Sequence, residues 1–508
     1  MESLSVWRAT TRRNEWPSLG SDVLTADVVV VGGGITGITL ALRLTEAGRS
    51  VVVLEAGAIG EGATGNSTGN VYETVSGGLH ELARKWDADI VSGVVASRQH
   101  AIDTIRRRIE DLQIDCAWRR CPLYRYSSSS RSGQELEEEY RAWLAAGLSA
   151  RLESTLPGGL VPSGGAALVL DGQAQFQPLS YVQALARAAA GKGCRIFERS
   201  AVQRLDRDRG AVVTAHGEVA GRDIVLATHS PSGFHLVQAE MLPFQEYGLA
   251  FETATHLPPG IFWDVGDEPL SLRSFETDGT RFLVAVGEAH RTGQHDAQEA
   301  IERLEAAVRR RFDFLGHARF RWSAQNFQAA DRLPYIGQDF TGTHIATGFA
   351  TDGLVFGTVA AHVIADRILD KDNPWAAMFR PGRFEPTKAA QGVVQENVAV
   401  VRALAKGYIG GLYLAALSDI EPGQAALARI GGESVAAHRD EQGVLHAVSA
   451  VCTHLKCQVQ WNSFQKSWDC SCHGSRFSPD GEVICGPAIE PLAPISFLSV
   501  YAQGVHEK

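Results

Sequence analysis

The sequence predicts an α/β domain built around a βαβ unit, with a small all-β module after it. Three observations carry that prediction. The run ADVVVVGGGITGITLALRLTEAGRSVVVLEAG reads as an apolar strand, a glycine turn, a helix with apolar residues at 3.6-residue spacing, and a second strand. Helix-like SYVQALARAAAGKG and VFGTVAAHVIADRILD then alternate with strand-like RDIVLATHS and HIATGF through about the first 370 residues. From about residue 408 the pattern changes to short strand-like pieces, GESVAAHRD and GVLHAVSAV among them, separated by Gly, Asp and Glu.

With 508 residues the chain has room for more than one core. Prolines and glycines in DNPWAAMFRPGRFEP interrupt regular structure, and TKAAQGVVQENVAVVRALAKGYI after them reads as a connecting helix. The expected division is therefore 1–385, a linker helix over 386–407, and a second domain over 408–508. A net charge of -10 argues against a nucleic-acid partner or an anionic lipid surface, both of which need basic patches. No apolar run reaches the roughly 18 residues that span a bilayer. Arg12 and Arg13 near the amino terminus are followed by neither an apolar stretch nor a small-residue cleavage site, so the expected location is the cytoplasm.

Gly32, Gly34 and Gly37 form G-x-G-x-x-G between a strand and a helix, Ile35 and Thr36 within the motif are expected cofactor contacts, and Glu55 ends the next strand. In that context the first glycine permits the tight turn, the second lets backbone approach a pyrophosphate, and the third lets helix and strand pack closely. The helix N-terminus favours the phosphate charge, and Glu55, about 20 residues on, is placed to accept from a ribose. The expected fold is Rossmann-like.

Two later stretches, GEGATGNSTGN at 60–70 and ATGFATDGLVFGTVAAHVIADRI, resemble segments of the glycine oxidase and D-amino-acid oxidase superfamily. The resemblance covers roughly residues 22–370 and implies FAD. It further implies that Ala56 and the loop of Thr64, Gly65, Asn66, Ser67 and Thr68 wrap the cofactor. Gly348, Thr351, Asp352, Gly353 and Leu354 would form a late turn feeding a helix toward the flavin ring. Val202 in ERSAVQRL would lie beside the adenine and Thr228 in DIVLATHS near the cofactor. His229 is a departure, since many members have glycine there. The same resemblance implies a cofactor-binding part of about 22–100, 165–240 and 330–370, and an α+β substrate subdomain of about 100–165 and 240–330.

Five of the eight cysteines lie between residues 452 and 485, which points to a metal site rather than a dispersed disulfide framework. Cys452 and His454 form C-x-H, and Cys470 and His473 form C-x-x-H, with 15 residues between the pairs. Zinc takes the same ligand types, but zinc fingers group cysteines with cysteines. Pairs that mix one sulfur with one nitrogen suit a Rieske [2Fe–2S] centre, in which one iron takes two thiolates and the other two imidazoles. The stretch CTHLKC…CSCHGS resembles Rieske proteins of respiratory cytochrome complexes over about residues 408–503. That resemblance implies a disulfide between Cys457 and Cys472, a shielding loop at Gly486–Ala488, and a serine, Ser475, that donates to a bridging sulfide. Phe477 stands where the high-potential members have a tyrosine, so one donor is missing and a lower potential is expected. Cys116, Cys121, Cys194 and Cys485 read as small buried apolar residues.

Flavin and Rieske centre in one chain imply electrons entering as a pair and leaving singly. The arrangement resembles bacterial FAD-dependent oxidoreductases with a carboxy-terminal Rieske domain, and the flavin half implies oxidation of an amine or amino acid at the C–N bond. The electrons would go to an external acceptor: ferredoxin, cytochrome, quinone or oxygen. Tyr247, His290, Arg291 and Arg332 are the candidate substrate contacts, Arg332 because guanidinium matches a carboxylate bidentately. The rival reading is a redox-sensing or electron-shuttling protein without a small organic substrate. A Rieske oxygenase is disfavoured, since it normally carries its Rieske domain at the amino end and lacks the extra cysteine pair.

Overall fold

A computed structural model of the chain describes residues 4–128, 133–157, 167–383, 417–430 and 432–495. The linker helix expected over 386–407 lies outside the described residues.

The first sheet has eight strands. Its parallel centre runs, in spatial order, His344–Thr347, Glu218–Leu226, Val23–Val31, Val51–Leu54 and Arg195–Phe197. Both faces of this centre are covered, which is why VVVV and VVVL read as unbroken apolar runs. Val28, Val30, Val51 and Val53 pack under helices that include Ile35–Glu46, Pro178–Gly191 and Gly353–Ile368. Val29, Val31, Val52 and Leu54 face the other way, onto a core shared with Met241, Phe327 and Ala329 of the second sheet.

That second sheet has nine strands, in the order Phe320–Ala329, Met241–Glu252, Thr280–Arg291, Leu270–Thr277, Ile261–Asp264, Arg119–Tyr126, Ala167–Gln175 and Asn70–Val71, with Ala150–Glu153 beside Ala167–Gln175. The helix Ala297–Arg311, capped by Asp296, buries Ala300, Ile301, Leu304 and Val308 against it. Two of the expected boundaries move. Ala167–Gln175 pairs with Arg119–Tyr126 and so belongs to the second sheet, not to the cofactor-binding part. Residues 100–111 complete the helix Ala88–Asp111, whose His100 ring meets His362 of Gly353–Ile368, so they belong to the first layer. Both shifts arise from pairings distant in sequence, to which periodicity is blind.

The carboxy-terminal module is all-β among its described residues. One antiparallel sheet holds Ala425–Ile430, Glu433–Arg439 and Leu445–Ser449, and a second holds Val459–Asn462, Ser467–Cys470, Arg476–Phe477 and Val483–Cys485. This module docks on the second sheet of the large domain. The Gln245 side chain donates to Gln465 Oε1 at 2.8 Å, Gln325 Nε2 donates to the Gly474 carbonyl at 2.9 Å, and Gly233 N–H donates to the Pro487 carbonyl at 2.9 Å. Gly474 has φ +77°, and a Cβ there would stand 2.8 Å from Gln325, Phe327 and Pro243, so the approach of backbone to sheet needs glycine. No helix of the described residues is long and apolar enough to cross a membrane.

Candidate active site and cluster site

The glycine turn sits at the carboxyl ends of the parallel strands, where α/β sheets bind ligands. Gly32 has φ +107°, and a Cβ there would meet the Ala227 carbonyl at 2.4 Å. Gly37 packs so closely that a Cβ would lie 2.0 Å from the Gly32 carbonyl oxygen. Gly34 caps the helix Ile35–Glu46 and is different: its φ of -77° suits any residue, and an added Cβ would meet only Thr64 Oγ1, at 3.3 Å. The space beside Gly34 is a cradle at a helix N-terminus. Ile35 and Thr36 begin the helix behind it. Glu55 accepts from Gly33 N–H at 2.7 Å and from Gly57 N–H at 2.8 Å, one oxygen each, which leaves a lone pair on each oxygen for a ribose hydroxyl. Burial raises its pKa against those backbone bonds, which lower it. Ala56 is exposed beside it, and Ser200 N–H, two residues before Val202, bonds the Glu55 carbonyl at 2.9 Å.

The loop after Glu55 is held by residues the sequence did not single out. Thr64–Asn66 forms a single tight turn across Gly65, and Thr64 Oγ1 accepts from Ile35 N–H at 3.0 Å. Indole N–H groups of Trp322 and Trp7 donate to the carbonyls of Asn66 and Ser67, at 3.0 and 2.6 Å, and buried Arg273 donates to that of Thr68 at 3.0 Å. Three side chains from distant segments thus fix one loop. No local spacing signals them.

A cavity of about 560 Å³ lies where the two sheets meet. Thr68, Gly348, Thr351 and Asp352 line it from the first domain, while Phe244, Glu246, Asn326 and Gln328 line it from the second sheet. The late turn is tied down on the same wall: Thr351 Oγ1 donates to Ser76 Oγ at 2.6 Å, and the Asp352 carboxylate accepts from Ser76 N–H and Oγ before Gly353 and Leu354 begin the helix. Thr228 bonds the Ser230 carbonyl at 2.7 Å behind the glycine turn, and there His229 Nε2 and Ser230 Oγ are buried without a partner among the described residues. The glycine turn, Glu55, the 64–68 loop and the late turn therefore form one continuous line ending at the cavity, and these residues fit a dinucleotide with a ring at its far end.

Alternation along the strands decides which residues reach the cavity. Phe244 and Glu246 face it, so Gln245 and Tyr247 face the other way, toward the carboxy-terminal module. Tyr247 is fully buried, its hydroxyl 3.1 Å from His290 Nε2, and its ring meets Phe464 of that module. Tyr247 and His290, expected from the sequence as substrate contacts, therefore cannot touch a molecule in the cavity. Arg291 pairs opposite Phe244 and lies outside the lining; Arg332 does line it, with Nη2 3.2 Å from Glu81. The residue missed is Glu246. Burial, with the charge of Asp352 adding to it, pushes its carboxyl up to about 7.

His229 has φ +69°, a conformation that costs a non-glycine residue about 1–2 kcal/mol. Its ring packs edge-on against Phe327 at 5.0 Å, and burial lowers its pKa to about 4.

In the small module, Cys452 and Cys470 are buried with their thiols in hydrogen-bonding contact. Bonding from Cys470, with Ser475 also contributing, draws the Cys452 thiol down to about 7 despite its burial. The His454 and His473 rings are 5.0 Å apart and nearly perpendicular, at 83°. Both nitrogens of His454 are buried without a partner among the described residues. Burial lowers both imidazoles to about 4, so both are neutral, the form that binds metal. Cys457 and Cys472 form a disulfide between the two loops, so in the compact trio Cys457, Cys470 and Cys472 only Cys470 is a free thiol. Two thiols in contact and two neutral imidazoles are the donor set of a mixed Cys/His iron-sulfur centre. Ser475 Oγ accepts from Ala488 N–H at 3.0 Å, and Phe477 is fully buried.

Comparison with known proteins agrees with both halves. The family model FAD dependent oxidoreductase (DAO) matches residues 27–367, and Rieske [2Fe-2S] domain matches residues 412–499. YhfW of Bacillus subtilis (strain 168), described as a Rieske 2Fe-2S iron-sulfur protein, is 33% identical over 497 residues, covering 96% of this chain and 97% of that one. Gamma-glutamylputrescine oxidoreductase of Escherichia coli (strain K12) is 26% identical over 370 residues, 68% of this chain and 84% of that one. The crystal structure of glycine oxidase from Geobacillus kaustophilus superposes with a TM-score of 0.60 at 19% identity, covering 72% of this chain and 100% of that one. The chain therefore belongs to the FAD dependent oxidoreductase family, DAO, and joins to it a Rieske domain, so that its cofactors are FAD and a [2Fe–2S] cluster.

Proposed function

We propose that the protein oxidises an amine or amino acid at its C–N bond and sends the electrons out through the Rieske module to an external acceptor. One observation carries the reading: a single sheet separates the two sites. Phe244, Glu246, Asn326 and Gln328 line the cavity on one face, while Gln245, Gln325 and Pro243 meet the module carrying the cluster ligands on the other. Gly474, next in sequence to His473, rests on Phe327, and Phe327 rests on His229, so packed side chains run from the cluster loop to the glycine turn. The amine class is supported by the relatives, whose names specify glycine and gamma-glutamylputrescine.

In this reading Cys452, His454, Cys470 and His473 hold the cluster, and the glycine turn, Glu55 and the 64–68 loop hold FAD. FAD supplies hydride acceptance and the cluster one-electron transfer. The protein's own part is to position an amine in the cavity, exclude water there, and keep the cluster loop fixed against the sheet. Anaerobic rapid mixing with a panel of amines tests it. The expected result is flavin bleaching, followed by cluster reduction at a rate independent of protein concentration. Bleaching by no amine, with reduction by a protein partner alone, would identify an electron shuttle instead.

A smaller effect is expected at Phe477. In Phe477→Tyr a hydroxyl within reach of a ligand sulfur should raise the cluster potential by roughly 60 mV, the one-electron equivalent of a hydrogen bond of ~1.4 kcal/mol. A potentiometric titration followed by electron paramagnetic resonance measures it. An unchanged potential in a protein with full cluster content would show that the phenol does not reach the sulfur.

A further inference from the structure

The charges around the cavity can be matched partner by partner. Of the arginines on its wall, Arg125 pairs with Glu135 at 3.2 Å, Arg311 with Asp264 at 2.9 Å, and Arg332 with Glu81 at 3.2 Å. Among the acids, Asp352 pairs with Arg98 at 3.4 Å and Glu288 with Arg303 at 2.9 Å, while Asp267 and Glu268 are exposed. Glu246 remains. Among the described residues its carboxylate has no hydrogen bond and no ion pair, and it lines the cavity beside the neutral amides of Asn326 and Gln328.

An ionised carboxylate half-withdrawn from water, as Glu246 is, and given no protein partner is costly, unless it takes a proton or a cationic ligand. A substrate carboxylate, conversely, would meet only guanidinium groups that each already hold an ion pair, at 2.9 to 3.2 Å. We propose that Glu246 is the cation-binding residue of the site, and that the substrate is an amine carrying no carboxylate beside the reacting nitrogen. This rests on the amine-oxidising reading above and narrows it. An alkylammonium stays protonated well above pH 7, as lysine does, so binding should strengthen as Glu246 ionises. Of the other groups facing Glu246, Asp352 pairs with Arg98 and Tyr72 is kept neutral by burial, while burial and the charge of Asp352 push the Glu246 carboxyl up to about 7.

Three matched pairs test the proposal by anaerobic titration of the FAD-loaded full chain: ethylamine with alanine, pyrrolidine with proline, and dimethylamine with sarcosine. Each amine should shift or bleach the flavin absorbance at concentrations at least roughly 10-fold below its amino acid, with affinity rising through about pH 7. Glu246→Gln should keep its FAD but bind the amines roughly 10- to 100-fold more weakly, the worth of a hydrogen bond to a charged group, and lose the pH step. Glu246→Asp, which keeps the charge, should retain the preference for amines. Equal or tighter binding of the amino acids, no response to any amine, or an unaltered Glu246→Gln protein would each overturn the proposal. The two readings fail separately. Spectral shifts without bleaching would support the cation site and remove the oxidase reading, whereas bleaching by the amino acids in preference would overturn the cation site and leave the oxidase reading standing.

Discussion

His454→Ala is expected to leave FAD bound and still reducible by substrate, while turnover with a one-electron acceptor falls by roughly 100-fold or more. The module that holds His454 has its own two sheets and core, so the loss should stay local. Both His454 nitrogens are buried without a partner among the described residues. Since removing a group that merely supports a metal ligand already costs about 10- to 100-fold in metal affinity, removing a ligand should empty the site. Iron and acid-labile sulfide should drop together, and the electron paramagnetic resonance signal of the reduced centre should vanish. Rapid mixing then separates the half-reactions: flavin bleaching persists, and its reoxidation by the acceptor slows. Undiminished turnover in a cluster-free protein with intact flavin would remove the Rieske module from the electron path and leave oxygen as the direct acceptor.

Gly34→Val should produce a folded protein without FAD. The fold tolerates the change because Gly34 has φ -77° and its added Cβ would meet only Thr64 Oγ1 at 3.3 Å. What the valine fills is the approach to the helix N-terminus, where a pyrophosphate must come within hydrogen-bonding distance of backbone. The expected protein is colourless in the flavin bands, retains its [2Fe–2S] centre, and unfolds at a lower temperature because it has lost the ligand's mass-action stabilisation. Gly37→Val is the contrast. Its Cβ would lie 2.0 Å from the Gly32 carbonyl oxygen, so that variant should fail to fold rather than merely lose cofactor. A Gly34→Val protein with full yellow colour and one FAD per chain would exclude the glycine turn as the pyrophosphate site.

The contrast between Gly34 and Gly37 illustrates what local sequence can carry. A glycine turn between strand and helix, followed about 20 residues later by an acid, specifies backbone geometry within one βαβ unit. The C-x-H and C-x-x-H pairs act the same way, because each pair lies on one short loop and its spacing is a direct statement of reach. These segments were legible because the interactions they encode span few residues. The clamp of Trp7, Trp322 and Arg273 on the 66–68 carbonyls was not legible, since its parts lie some 60 to 260 residues from that loop.

The strand Met241–Glu252 marks the limit most clearly. Its unbroken register against Phe320–Ala329 puts Glu246 and Tyr247 on opposite faces. Which face holds the cavity and which the Rieske module is another matter. That is decided by the docking of Gln465, Gly474 and Pro487 onto residues more than 140 positions earlier, and by the first sheet closing over the opposite side. The sequence by itself determined the two cofactors and the residue types that meet them. Only the tertiary structure decided that Tyr247 and His290 belong to the interface and Glu246 to the cavity, because a strand's periodicity defines two faces without saying what each will be packed against.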